Sequence, residues 1–150
     1  MISPVSTYIV HSGKRVGEKL EIGDDGPWVK RLQSHLSALC NEEKISLKGV
    51  LTWEEFLAQE LGSSGLVLIC VSADLLAEDE SSRVDQKAID LRSRGFIVIP
   101  ILLRPGSFVE YSPLGTFTPL PQDKKPVTLW KNRDDAFLDI VRGIRKALGL

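Results

Sequence analysis

The chain has 150 residues, which suits one domain (residues 1–150), and folding should bury roughly 70% of the surface that the unfolded chain exposes. Its 43% of hydrophobic and 26% of charged residues are ordinary for a packed globule and exclude a largely disordered chain. Lys and Arg number 19 and Asp and Glu 20, which argues against nucleic acid as a partner, because such binding relies on basic residues to neutralise phosphates.

The sequence predicts a cytoplasmic protein with no membrane and no metal as partner. Residues 1–10 lack the basic start and long apolar stretch of a secretory signal. The longest apolar runs, residues 65–71 and 96–103, are far shorter than the roughly 20 residues that span a bilayer. Cys40 and Cys70 stand in apolar contexts without zinc-ligand spacing, which indicates two thiols in a reducing compartment.

The first half of the chain alternates short β-rich runs with segments of helical period. Residues 6–10 (STYIV) are rich in β-formers and predict the first strand. A polar, glycine-rich loop (13–26) precedes an amphipathic helix over residues 27–39, in which apolar residues recur every three or four positions. Residues 44–47 predict a weaker second strand. The next helix, residues 52–61, opens on a capping box of sequence Thr-Trp-Glu-Glu.

The second half contains more strongly apolar strands. Residues 66–71 (LVLICV) do not alternate with polar residues, which predicts a strand buried on both faces. A serine caps a helix that ends at residue 94. Residues 96–103 (FIVIPILL) predict another central strand, in which Pro100 removes a ladder donor and indicates a bulge or an unpaired position. Residues 127–130 predict a short fifth strand.

A last helix, capped by Asn132, carries one apolar stripe and completes the order βαβαβαβ, a long loop, then βα. Short buried strands separated by helices predict a parallel sheet between two helical layers. With five strands, the flavodoxin-like order 2-1-3-4-5 is the simplest arrangement. Ligands in such folds bind beyond the carboxyl ends of the strands, and four loops fall there: residues 12–26, 48–52, 72–82 and 104–126.

Several familiar chemistries fail on single residues. The loop at residues 11–15 (HSGKR) contains Gly-Lys, but a P-loop would need an earlier glycine and a hydroxyl where Arg15 stands. A phosphoacceptor domain would need an aspartate where Ser72 follows the third strand. His35 lies within an amphipathic helix, so His11, at the carboxyl end of the first strand, is the better placed histidine.

Five acidic residues cluster after the third strand: Asp74, Glu78, Asp79, Glu80 and Asp85. One interpretation is a polar loop whose acids favour the positive end of the next helix. The other is that one carboxylate faces the ribose of a ligand or acts in bond cleavage.

Three stretches carry a family resemblance. Residues 66–76 (LVLICVSADLL) combine a buried strand with a serine-containing turn, and residues 98–105 (VIPILLRP) form a similar following strand. The most specific run is residues 125–134 (KPVTLWKNRD), preceded by Ser-Pro-Leu-Gly at 112–115 and by Leu-Pro at 120–121. Together these stretches, about half of the chain, resemble bacterial domains of the Toll/interleukin-1-receptor (TIR) family.

The resemblance implies one of two functions. Some members of the family hydrolyse NAD at the nicotinamide–ribose bond, and others are scaffolds that act through TIR–TIR contacts. The hydrolases use a glutamate on the helix after the central strand, and the corresponding position here holds Val84, or Asp85 after a shift of one residue. Aspartate is one methylene shorter, which withdraws its oxygens by about 1.3–1.5 Å. Displacements of that size cost on the order of a hundredfold in rate.

Two further loops that would face the ligand also lack an acidic residue that the family carries. Arg15 stands where the family often has an acid after the first strand, and residues 48–53 keep the family's glycine and tryptophan but not its acid. We therefore expect a non-catalytic module that requires no cofactor. It would associate with itself or with another TIR-like or effector chain in a bacterial defence or signalling system. Five apolar loop residues would either supply those contacts or pack onto their own domain: Leu51, Trp53, Phe108, Tyr111 and Phe117.

The alternative is an NAD glycohydrolase with NAD as its substrate and Asp85 as its catalytic carboxylate. The other positions that would lie near NAD follow the first and third strands: His11, Ser12, Arg15, Ser72 and Glu80. A second alternative is a nucleotide sensor that binds a ligand in the same cleft without cleaving it.

Overall fold

A computed structural model describes residues 4–11, 14–16, 19–21, 26–71, 81–104, 117–121 and 125–150. For residues 14–16, 19–21 and 81–85 it describes the backbone alone. Several residues named above lie outside the described residues: Ser12, Ser72, Glu80, Phe108 and Tyr111.

Apart from two short strands that follow the first strand directly, strands and helices alternate along the described chain, as the sequence predicts. The strands are β1 (Val5–His11), β2 (Lys14–Val16), β3 (Lys19–Glu21), β4 (Ile45–Thr52), β5 (Leu66–Val71) and β6 (Ile97–Leu102). The helices are α1 (Gly26–Asn41), α2 (Trp53–Ala58), α3 (Ser81–Ser93) and α4 (Arg133–Ala147). Among the described helices, none combines the length and apolar character that crossing a bilayer requires.

The main sheet is parallel and has the order β4-β1-β5-β6. Counted among its own strands in chain order, this is 2-1-3-4, which confirms the first four places of the predicted order. The chain is therefore an α/β protein built on a parallel sheet, as expected. The prediction of five strands is wrong for the described residues, in which this sheet has four.

The predicted fifth strand is instead a short 3₁₀ helix, Val127–Leu129. Two of its backbone bonds are local, because the N–H of Leu129 donates to Pro126 at 2.9 Å and the N–H of Trp130 donates to Val127 at 3.1 Å, and a single long-range bond joins the N–H of Thr128 to the carbonyl of Leu103 at 3.1 Å. Groups satisfied in this way are not available for a ladder. The β-forming composition of Val-Thr-Leu-Trp was misleading for that reason.

A different segment meets the outer edge of β6. The N–H of Leu120 donates to the carbonyl of Pro100 at 2.9 Å, and the N–H of Leu102 donates to the carbonyl of Leu120 at 2.8 Å. These two bonds form an isolated parallel bridge between Leu120 and Ile101. One residue thus occupies the position where a fifth strand was expected.

Two predicted loops contain regular structure. The loop at residues 13–26 includes the antiparallel hairpin of β2 and β3. The weak strand at 44–47 continues to Thr52, so residues 48–52 are strand rather than loop. β4 pairs with β1 along this whole length, with one register shift between Thr7 and Tyr8. Gly49 interrupts the apolar pattern of β4, and pairing with β1 holds the strand together in spite of it.

The sheet is covered on both faces, which explains the continuously apolar strands. Alternate residues of β5 enter two separate cores, with Leu66 and Leu68 on the side of α1 and α4 and Val67 and Ile69 on the side of α2 and α3. All six residues of β5 are buried. Burying one such side chain contributes roughly 1.5–3 kcal/mol, so this strand is a large part of the stability of both cores.

Pro100 lies in β6 without a bulge, since the register with β5 has no shift. The N–H groups of Ile97 and Leu103 donate to the carbonyls of Gly65 (2.9 Å) and Val71 (3.1 Å). Odd-numbered residues of β6 therefore turn their backbone N–H groups toward β5, and even-numbered residues turn theirs outward. The nitrogen of Pro100 falls on the outer side, where no ladder donor is required. The expected bulge is absent, and the expected unpaired position applies to the proline nitrogen alone, because Pro100 pairs with Ile69 and its carbonyl accepts from Leu120.

The contact of α1 with α4 uses polar and aromatic side chains from both helices. Asn132 caps α4 by accepting from the N–H groups of Asp134 (2.9 Å) and Asp135 (3.4 Å), as predicted. The guanidinium of Arg31 donates to Asp134 at 2.7 Å, and this bond holds the pKa of Asp134 below its ordinary value. The ring of His35 stacks on Phe137 with centroids 5.0 Å apart, so this histidine is a packing residue.

Candidate functional site

The carboxyl ends of the parallel strands meet at one edge of the sheet, the carboxyl edge, where β1 ends at His11, β4 at Thr52 and β5 at Val71. The chain leaves β1 toward β4 on one side and later returns to β5 on the other. The order of the strands therefore reverses beside β1, and ligands of open α/β sheets bind at such a reversal.

His11 is the one predicted site residue whose surroundings the structure describes. It is the last residue of β1, its Cα partner is Thr52, and its side chain is fully buried. The predicted location at the carboxyl end of the first strand is correct. The complete burial was not predicted, and it places the imidazole inside this edge rather than on an open surface.

The remaining predicted residues are not brought together by the described part of the chain. Arg15 lies in β2, where its backbone pairs with Leu20 of β3. Asp85 lies in the first half of α3, and only its backbone is described. Its assignment as a catalytic carboxylate stays a prediction.

The start of α2 closes part of this edge with a reciprocal cap. The hydroxyl of Thr52 accepts from the N–H of Glu55 at 3.1 Å, and the carboxylate of Glu55 accepts from the N–H of Thr52 at 3.1 Å. The predicted capping box is thus confirmed. Because both side chains stabilise the helix end, the carboxylate of Glu55 has a structural role.

Trp53 follows the cap, and the sequence singled it out as an apolar loop residue without indicating the state of its indole N–H. Its side chain is 8% exposed, and its indole Nε1–H has no hydrogen-bond acceptor among the residues that the structure describes. A buried donor without an acceptor costs about 1–3 kcal/mol. The indole N–H is therefore an unsatisfied hydrogen-bond donor at the described part of the carboxyl edge.

The structure describes three of the five apolar residues for which contact with a partner and packing onto the domain were both left open. Leu51, Trp53 and Phe117 are 6%, 8% and 6% exposed, and each belongs to the core on the side of α2 and α3. Packing onto the chain's own domain, the second of the two interpretations, is correct for these three residues.

Lys87 joins α3 to the end of α2. Its ammonium donates to the carbonyl of Phe56 and, at 2.5 Å, to that of Gln59, and it lies 5.0 Å from the centre of the Phe56 ring. Partial burial lowers the pKa of Lys87, while the charge of Glu60 acts in the opposite direction. Carbonyls at a helix end attract a cation, so this lysine stabilises the end of α2.

A second candidate region lies along the outer edge of β6. A cavity of about 330 Å³ has the strand residues 97–99 as its floor and Gly143 and Ala147 of α4 as one wall. Phe117 forms part of the opposite wall. We call this cavity the edge groove; the described residues that line it are Arg92, Phe96, Ile97, Val98, Ile99, Phe117, Thr118, Leu120, Gly143 and Ala147.

Two close contacts shape the edge groove. The guanidinium carbon of Arg92 lies 4.1 Å from the centre of the Phe117 ring, which places a cation at the rim. A Cβ on Gly143 would lie 2.4 Å from Cδ2 of Leu120, so the glycine is what admits Leu120 against α4. The groove depends on three separate segments of the chain, and no local sequence pattern reveals it.

The described residues hold no group of three or more His, Cys, Asp or Glu side chains placed to bind a metal ion. Cys40 is partly buried and Cys70 is fully buried, and the two are not joined by a disulfide. The prediction of two separate thiols in apolar surroundings is therefore confirmed for Cys70 and holds in part for Cys40.

Comparison with known proteins gives one informative relative. No protein-family model matches the chain, and no solved structure matches it. A protein of Sinorhizobium fredii (strain NBRC 101917 / NGR234), named "Uncharacterized protein y4lF", is 35% identical over 91 residues. The match covers 59% of this chain and 28% of that protein, so the similar region is a minor part of a longer relative.

Proposed function

We propose that the chain is a TIR-like protein-interaction module that associates with itself or with another TIR-like or effector chain in a bacterial defence or signalling system. The strand order is compatible with the flavodoxin-like arrangement of that family. The motifs at residues 66–76, 98–105 and 125–134 are the basis for the TIR assignment.

The observation that carries this proposal is the position of one cavity, the edge groove, relative to the described part of the carboxyl edge. The described part of the carboxyl edge is filled by His11, Thr52 and Trp53, all buried. The edge groove instead lies along the flank of β6, beside residues 97–99 and away from the carboxyl ends. Apolar surface at a sheet flank is suited to contact with another protein chain.

The bacterial relative supports a modular role. The similar segment makes up 28% of that protein, so sequence of this kind occurs joined to other sequence in a longer chain. Interaction modules commonly occur in that form, and the partner in a signalling system would then be a chain that carries a comparable unit.

Multi-angle light scattering over a concentration series tests the proposal, together with affinity capture from a bacterial lysate and sequencing of what is retained. We expect either a mass that rises with concentration or the specific capture of a TIR-like or effector chain. A strict monomer at the highest concentration that captures neither kind of chain would contradict the proposal.

The NAD glycohydrolase alternative is separated in the same preparation by following free nicotinamide after addition of NAD. The proposal expects no release, including at concentrations where the protein assembles. Release that disappears in Asp85→Ala would establish the alternative, and release that survives this substitution would establish hydrolysis with a different catalytic residue. Thermal shifts with NAD and ADP-ribose detect binding without cleavage.

A further inference from the structure

We infer that the edge groove binds an extended apolar peptide segment with one carboxylate, supplied by a different protein, which adds as a strand beside residues 97–99 of β6. This inference rests on the proposed function and names the chemistry of the partner. Its elements are the backbone polarity of β6, the shape of the groove and the charge at its rim.

The backbone of β6 presents hydrogen-bonding groups to the groove. Even-numbered residues turn outward, and Leu120 pairs with the outward groups of Pro100 and Leu102. Val98, which is the Cα partner of Val67 in β5, is the next outward residue toward the start of the strand, and no described segment bonds to its outward N–H and C=O groups. Buried or half-buried backbone groups require partners, and an extended peptide supplies both a donor and an acceptor at the correct spacing.

The pairing already present on this edge shows which kind of occupant fits. Leu120 bonds to β6 in the manner of a parallel strand, and the groove continues the same edge toward residue 97. A strand rises about 3.3 Å per residue, so residues 97–99 accommodate a short stretch of roughly three residues. The volume of about 330 Å³ is at the small end of the range for binding pockets, which suits a few apolar side chains.

Shape excludes a second copy of the groove as the occupant. A symmetric contact brings the same patch of both copies together and requires that patch to complement itself. Two concave surfaces do not fill each other, whereas a protruding extended segment fills one. A head-to-tail contact between two copies would present β4, the other edge strand of the main sheet, but β4 contains Lys48 and no carboxylate to pair with Arg92, so the partner is a different chain.

Charge selects among extended segments. Arg92 is exposed, and it is the charged side chain among the described residues that line the groove. A carboxylate on the incoming segment would pair with its guanidinium at the rim. The remaining described lining, apart from Thr118, is apolar or glycine and favours aliphatic side chains at alternate positions.

Fluorescence polarisation with a labelled probe peptide tests the inference. The probe alternates valine and threonine around one glutamate and has about eight residues, of which roughly three would lie beside residues 97–99. Ala147→Phe fills the groove from an exposed helix position, and Arg142→Phe places the same ring at an exposed position outside the described lining. We expect Ala147→Phe to weaken binding at least about tenfold and Arg142→Phe to leave it unchanged.

Two further arms examine the backbone and the charge. Val98, like Pro100, is an even-numbered residue whose backbone nitrogen faces outward from β6. Val98→Pro removes this outward N–H, so it should weaken binding of the probe while leaving the bonds to β5 intact. Amide exchange should slow at Val98 on binding and stay constant at Ile99, which faces β5. Replacing the probe glutamate by glutamine should weaken binding of the probe to the wild-type protein. The same replacement should leave binding of the probe to the Arg92→Gln variant unchanged.

The outcomes separate this inference from the proposed function. Absence of saturable probe binding, or equal affinity for Ala147→Phe and Arg142→Phe, overturns strand docking at the groove. If Ala147→Phe still captures a TIR-like or effector chain as the wild type does, the proposed function stands and the groove is not its interface. Self-association that Ala147→Phe abolishes would make a second copy the occupant and overturn the choice of a heterologous chain.

Discussion

The carboxyl edge beside β1 and β4 and the outer edge of β6 belong to the same sheet, yet their backbone groups are satisfied in different ways. At the carboxyl edge, Thr52 and Glu55 satisfy each other across three residues. At the outer edge, Leu120 reaches Pro100 and Leu102 from a distant part of the chain and leaves the start of β6 to the edge groove. The local bonds of Thr52 and Glu55 satisfy the described start of α2 at the carboxyl edge, whereas the single bridge of Leu120 leaves the outward backbone groups at the start of β6 without a described partner.

Apart from the truncation of Trp53 used below as a comparison, the largest effect is expected at the outer edge, where Gly143→Val should destabilise the protein by about 2–3 kcal/mol in urea unfolding. The new side chain would occupy the space of Leu120, whose Cδ2 lies 2.4 Å from an ideal Cβ at this position. The control is Gly143→Val combined with Leu120→Ala, which should recover part of the loss. Additive effects of the two substitutions would show that the bridge does not depend on this contact.

At the carboxyl edge, Thr52→Ala should cost about 1 kcal/mol, measured in the same way, because the N–H of Glu55 loses its acceptor. Thr52→Ser keeps the hydroxyl and is the matched control, with a smaller expected loss. A loss for serine as large as that for alanine would assign the effect to the buried methyl group instead.

Trp53→Phe should change the free energy of unfolding by less than about 1 kcal/mol, since removing an unsatisfied donor offsets the smaller ring. Trp53→Ala is the comparison, and a loss of about 3–5 kcal/mol is expected there. If Trp53→Phe lowered the free energy of unfolding as much as Trp53→Ala, the indole N–H would have an acceptor within the protein, and its description as an unsatisfied donor would be wrong.

The smallest effect is expected at the contact of α1 with α4, outside both edges. The pKa of Asp134 lies below its ordinary value in the folded protein, chiefly because of the bond from Arg31, so its contribution to stability is complete above pH 3.8 and is lost as the pH falls through the lowered value. Asp134→Asn should remove this acid dependence and leave the rest of the pH profile unchanged. An unaltered acid limb in the variant would contradict the assignment.

Features encoded by adjacent residues could be predicted from the sequence. The run at residues 66–71 indicated a doubly buried strand, and Asn132 indicated the start of α4, because each signal lies within a few positions. The full length of β4 could not be predicted, since pairing with β1 sustains it across Gly49. The 3₁₀ helix at Val127–Leu129 was missed because local hydrogen bonds outweighed β-forming composition.

The candidate site was less predictable than the fold. His11 was correctly placed at the end of the first strand, but its burial depends on neighbouring elements. Distant segments must pack together before the donor of Trp53 is buried without a described acceptor and before the edge groove exists. Asp85 stays a predicted catalyst, and the nicotinamide assay decides between assembly and NAD chemistry.

Pro100 has a consequence for how the protein behaves at high concentration. An unpaired strand edge is a template on which further chains can stack into fibrils. A proline nitrogen in the middle of β6 cannot donate to an incoming strand, so growth of a long intermolecular ladder is interrupted there. The residue thereby limits any ladder that could grow along the outer side of β6 to the stretch that precedes it.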